Sequence, residues 1–192
     1  MPSISQTRSA LKPAERGLTV IELMVTVAVA AVLAALAVPA FNSFVLNDRG
    51  VAQINSLVTS FNYARSEAIK QHLSGVVVCP SSDGTVCNGT PAWSGGWIVW
   101  NTDPKLTGTK QAIIQSVPAL AGNSVLTAAG PGADGITFQG NGGTAGYKAL
   151  AITLCDARGA AQARAVEVNP TGKVAASQTA GLSVAGTPLT CP

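Results

Sequence analysis

One carboxylate, Glu22, stands inside a stretch that is otherwise apolar, ERGLTVIELMVTVAVAAVLAALAVP at 15–39. An ionised group in the middle of a lipid-embedded helix costs about 2.5–3.5 kcal/mol on insertion scales, so this acid needs a partner. The nearby cations all precede Gly17: Arg8, Lys12 and Arg16. A second set with chemistry is Cys79, Cys87, Cys155 and Cys191. They form no C-x-x-C pair, and His72 is the one histidine, so neither a zinc site nor any other cofactor is expected. Four cysteines allow three pairings. In an exported chain the favoured one is Cys79–Cys87 with Cys155–Cys191, which closes one local loop and staples the C-terminal region.

Nothing assembles into a catalytic set. A triad needs a histidine or its equivalent, and His72 lies alone near the expected end of a helix, as a surface or capping residue. Asp83, Asp103, Asp134 and Asp156 have glycine, asparagine, proline or serine within three residues, and read as turn formers. GPGADG at 130–135 has G-x-G-x-x-G spacing, but a strand pattern follows it where a nucleotide site needs a helix. NGT at 88–90 is a sequon by pattern alone. Trp93, Trp97 and Trp100 read as core and hairpin packing. A base-stacking platform would need adjacent cations, and the nearest is Lys105. The chain is expected not to be an enzyme.

The elements that position these residues follow from pattern. Leu23–Val38 is apolar apart from Thr26, and the 21 residues from Leu18 to Val38 would span about 31 Å as a helix, close to the hydrocarbon thickness. Basic residues flank only its N-terminal side, which places the N-terminus in the cytoplasm. A secretory signal peptide cut near ALA at 35–37 and a plain anchor both fit the apolar run, but neither uses Glu22. Pro39 should kink the helix rather than end it. Val51, Ile54, Leu57, Val58, Phe61, Ala64 and Ala68 then continue a 3.6-residue stripe, giving one helix from about Leu18 to Gln71 with a weak point at Gly50.

Strand patterns occupy 75–80, 95–100, 110–117, 135–140 and 148–155, and a hairpin turns at PTG, 170–172. The tail from Gln178 is small and polar. Hydrophobic residues make up 47% of the chain and charged residues 11%, which suits a β-rich extracytoplasmic protein. The net charge is +3. Beyond Gly17 nine basic and eight acidic residues remain, too even a balance to attract nucleic acid over the whole surface.

RGLTVIELMVTVAVAAVLAALAVPAF closely resembles the signature of type IV pilins and type II secretion pseudopilins. It has a glycine before the cut, a hydrophobic first mature residue, glutamate at the fifth mature position and proline at the twenty-second. The resemblance implies cleavage by a prepilin peptidase between Gly17 and Leu18 and methylation of the new Leu18 amine. That amine supplies the missing positive charge. In a stack of subunits, Glu22 of one can meet the Leu18 amine of the next, and burying the pair removes two unpaired charges at once. Alanines at 30, 31, 34 and 35 allow close helix approach.

VVVCPSSDG, WSGGWIVWNTD, GITFQGNGG, LCDARG and AVEVNPTGKV, with a terminal cysteine, look like the GspH/FimT branch of minor pilins and pseudopilins. This resemblance implies an α+β fold, a long N-terminal helix on antiparallel sheet. It implies a leader at 1–17, a transmembrane and filament-core helix at 18–46, and a periplasmic globular domain at 47–192. The implied protein works in type IV pilus assembly, near the tip, with other pilins, the prepilin peptidase and the inner membrane as partners. A type II secretion pseudopilin is one alternative. A pilus-associated DNA-uptake protein is another, because some FimT-type pilins bind DNA through a GRxR turn. The matching residues here, GKVA at 172–175, supply Lys173 but have Ala175 in place of the second arginine. Arg158 and Arg164 lie in the same region as candidate DNA contacts, enough for weak, salt-sensitive binding.

Overall fold

The computed structural model describes residues 17–72, 75–102 and 112–192. The chain divides into two compact units between Ser43 and Phe44. The calls on the leader, on Asp103 and on Lys105 fall outside the described residues.

One helix, α1, runs Val20–Lys70 and continues through Pro39. Its first turn follows from sequence. The Thr19 carbonyl accepts the first intrahelical bond, from Leu23 N–H, and the Thr19 hydroxyl accepts from the Glu22 N–H at 3.3 Å. Thr19 is therefore the N-cap and Glu22 the third helical residue, the spacing of a capping box. In the first unit the apolar side chains are open: Val20 is 79% exposed and Leu36 69%. The polar residues among them are satisfied locally. Thr26 donates to the Leu23 carbonyl and Ser43 to the Ala40 carbonyl, both at 2.9 Å.

The second unit carries the rest of α1 and eight strands in two antiparallel sheets. One sheet has the order β3 (Ala112–Pro118), β2 (Gly96–Asn101), β1 (Val76–Pro80), β5 (Ile136–Phe138). The other has the order β4 (Val125–Ala129), β6 (Leu150–Cys155), β7 (Arg164–Val168), β8 (Val174–Ala176). The sequence patterns miss β4, whose five residues pair with β6 but alternate weakly, with Leu126 alone fully buried.

The α1 stripe Ile54, Leu57, Phe61, Ala64 and Ala68 is buried against both sheets. From the first sheet come Val76, Val78, Trp97, Val99, Ile136 and Phe138, and from the second Leu150, Ile152, Leu154, Val166 and Val168. β1, β2, β5, β6 and β7 each send alternate residues into this core, as period-2 geometry requires. Trp97 and Trp93 belong to this core. The Trp97 indole N–H donates to the buried Ser60 hydroxyl at 2.9 Å, and Trp93 donates to the Ala133 carbonyl at 2.7 Å. Both large rings thus enter the interior with their polar atoms paired. The short turn Trp93–Gly95 also joins the sheets: the Ser94 hydroxyl, just before β2, accepts from Leu126 N–H on β4.

The disulfides are Cys79–Cys87, spanning 8 residues, and Cys155–Cys191, spanning 36. The first closes a loop in which Asp83 accepts from the Thr85 and Val86 N–H groups and from the Thr85 and Ser81 hydroxyls; these bonds hold its carboxyl far below the usual range. At the other end of α1, His72 takes the left-handed conformation (φ 52°), and its N–H closes on the Ile69 carbonyl. The histidine closes the turn that ends the helix.

Gly50 is a helical residue whose replacement is open to test. An added Cβ would lie 3.7 Å from Leu154 Cδ2, an ordinary contact. Gly50→Ala is expected to stabilise the second unit by about 1 kcal/mol through helix propensity. That should raise its melting temperature by about 2–4 °C. A thermal melt followed by circular dichroism reads this directly, and an unchanged or lowered midpoint would show that Gly50 is kept for packing.

Candidate functional site

The N-terminal constellation is Gly17 and Leu18, just before α1, and Glu22 in its first turn. Gly17 is exposed with nothing within 4 Å of an added Cβ, and Leu18 is 76% exposed. The Glu22 carboxylate meets no hydrogen-bond partner among the described residues. It sits where the free N–H groups of α1 give the helix its positive end, which favours an acid in the first turn by about 0.3–1 kcal/mol at an exposed site. Spacing alone signalled this second reason for the acid: Thr19-x-x-Glu22 is legible as a capping box.

The C-terminal cations are not one patch. Arg158 lies in the loop after β6 and is engaged by Asp156: its Nε donates to both carboxylate oxygens and its Nη2 to Oδ2 at 2.6 Å. The pair is mostly buried, 20% exposed for Arg158 and 11% for Asp156, and the guanidinium holds the Asp156 carboxyl below its ordinary value. Its contribution to stability is therefore present above the ordinary carboxylate range and fades as pH falls through the lowered value. Arg164 opens β7 and donates to Asn47 Oδ1 at 2.9 Å. Lys173 lies beyond the other end of β7, in the turn before β8, with its side chain exposed. β7 runs about 13 Å from Arg164 to Val168, the residue before that turn. Two of the three candidate DNA contacts are thus occupied within the fold, and the third stands apart from them.

Trp100 is half-buried with its indole N–H unpaired, and no described cation pairs with it. The described residues hold no cluster of three metal-ligating side chains. GPGADG at 130–135 is a turn leading into β5, with Gly135 N–H bonded to the Gly132 carbonyl. The described residues contain one helix long and apolar enough to cross a membrane, α1 itself.

Comparison with known proteins agrees with this geometry. The prokaryotic N-terminal methylation motif matches residues 12–38, which hold Gly17, Leu18, Glu22 and the apolar half of α1. The family described as type II transport protein GspH matches residues 53–172, from the buried stripe of α1 to the β7–β8 turn. No curated protein matches the chain. Among solved structures, the type IV minor pilin FimU of Pseudomonas aeruginosa superposes with a TM-score of 0.52 at 20% identity, covering 71% of this chain and 98% of that one. A second crystal form of FimU gives 0.49 at 20% identity, covering 67% and 94%. At that identity the likeness shows a shared fold, a long N-terminal helix with antiparallel sheet. The family and fold are those of structural proteins, not enzymes. With the methylation motif on an exposed apolar helix and the GspH match over more than half its length, the chain belongs to the GspH family of membrane-anchored minor pilins and pseudopilins.

Proposed function

We propose that this chain is a minor type IV pilin, matured by a prepilin peptidase that cuts between Gly17 and Leu18 and methylates the new amine. Residues 1–17 are then the leader. The apolar half of α1 holds the subunit in the inner membrane, N-terminus in the cytoplasm and globular domain in the periplasm, and later forms part of the filament core. The observation that carries the reading is the exposed apolar face of α1 from Val20 to Phe44, interrupted by a single acid five residues after Gly17. Such a surface is stable only when covered, by lipid first and by other helices in a filament. Glu22 of one subunit and the Leu18 amine of its neighbour then neutralise each other in a dry environment, where an unpaired charge is expensive.

The family description, type II transport protein, favours a second reading: a minor pseudopilin of a secretion filament. Both use the same cut, helix and acid. Deleting the gene separates them, since a pilus subunit reduces surface filaments and a pseudopilin reduces export of secreted proteins.

Two substitutions test the maturation chemistry. Gly17→Ala should leave an unshifted precursor band in membranes, and a mature-sized band would overturn the assigned cut. Glu22→Ala should still insert and be processed, yet its recovery in sheared filaments should fall about tenfold or more, because the neighbour's amine is left unpaired. Wild-type recovery would remove Glu22 from the assembly contact.

A further inference from the structure

Arg49 has no ionic or hydrogen-bonding partner among the described residues, although it is half-buried. Its position is nevertheless built. The guanidinium lies against Gly122, where an added Cβ would clash with Arg49 Nη1. Gly122 has φ 77°, so the turn after β3 needs a glycine for its backbone and leaves that space to the arginine. The carboxylate of Asp156, which shares a recess with Arg49, Asn123 and Ser124, is already taken by Arg158. The acid in this recess is thus unable to neutralise Arg49 without giving up a bidentate pair.

On its other side Arg49 borders a groove of about 270 Å³ between α1 and the connection from β3 to β4. Trp97, Val117, Pro118 and Leu120 give this groove apolar walls. Gln53, one turn along α1 from Arg49, ties the helix to that connection by donating its amide to the Ala121 carbonyl at 3.0 Å. A positioned guanidinium at the mouth of an apolar groove is the arrangement that binds a carboxylate next to an apolar side chain. The charge would be paired in a partly dewatered site, and the groove supplies burial beside it.

We infer that Arg49 and this groove are a docking site for an acidic side chain, with an adjacent apolar residue, on a neighbouring subunit of the filament. The inference rests on the filament reading above. It places a contact on the globular domain, separate from the Glu22–amine pair. A guanidinium offers two parallel N–H donors to a carboxylate, whereas an ammonium offers a point charge, so lysine is a partial substitute.

The test uses the full-length chain in its own host, with recovery in sheared filaments as the readout. Arg49→Glu should lower recovery about tenfold or more and Arg49→Lys by much less, with the membrane pool and thermal melt unchanged. Suppressors of Arg49→Glu should replace an aspartate or glutamate with lysine or arginine on another pilin, or on a second copy of this chain. Wild-type recovery of Arg49→Glu, beside a wild-type chain present in filaments, would overturn the docking site alone. Suppressors confined to this chain's own groove, or a lowered melting point, would overturn it in favour of a structural role. Absence of the wild-type chain from filaments would overturn both this site and the filament reading.

Discussion

A single helix has to satisfy two environments, and the fold is arranged around the residues where one gives way to the other. Up to Phe44 the apolar side chains of α1 are open, and the hydroxyls among them bond back to their own turn. From Gly50 onward a stripe recurring every three or four residues is closed off by two sheets. The two halves share backbone geometry and differ in what covers them. Hydrophobic burial by protein explains the second half; the first half has the composition of a core and is exposed. The conclusion that its cover is external follows from that asymmetry.

The sheets must accept a helix rather than another sheet, and the aromatic residues show how. Phe61 and Trp93 pack with ring centroids 5.8 Å apart, and Trp97 reaches across to Ser60. Each bond ties a strand or its leading turn to something distant in sequence, so the helix, the first sheet and β4 are fixed as one core. Around it the charged residues are few, and the strongest ionic bond, Arg158 to Asp156, is spent on holding a loop.

Much of this was legible in sequence because the signals were long or chemically specific. The α1 pattern repeats over 51 residues, and the cysteine spacings are consistent with the two local closures that the structure contains. β4 was not legible: VLTAA is a strand only because β6 offers it a ladder, and its small residues give alternation little contrast. The placing of Arg158, Arg164 and Lys173 was not legible either, for a related reason. Nearness in sequence hides the fact that β7 carries Arg164 and the Lys173 turn to opposite ends. Arg49 was equally hidden, since its setting depends on Gly122, 73 positions away, and on Asp156 being already committed.

Glu22 joins the local and the collective levels. In the lone precursor it is the third residue of a capped helix, where the helix's own positive end offsets part of the cost of its charge. The proposed cut after Gly17 adds an amine one turn away, at the end of the helix that least favours a positive charge. A neighbour displaced along the filament axis can bring its acid level with that amine, while the two apolar faces cover each other. On the filament reading, the helix's positive end lowers the penalty of storing the subunit in the membrane, and the new amine raises the gain from leaving it. A single carboxylate serves both states because it stands at a helix N-terminus rather than at the centre of the span.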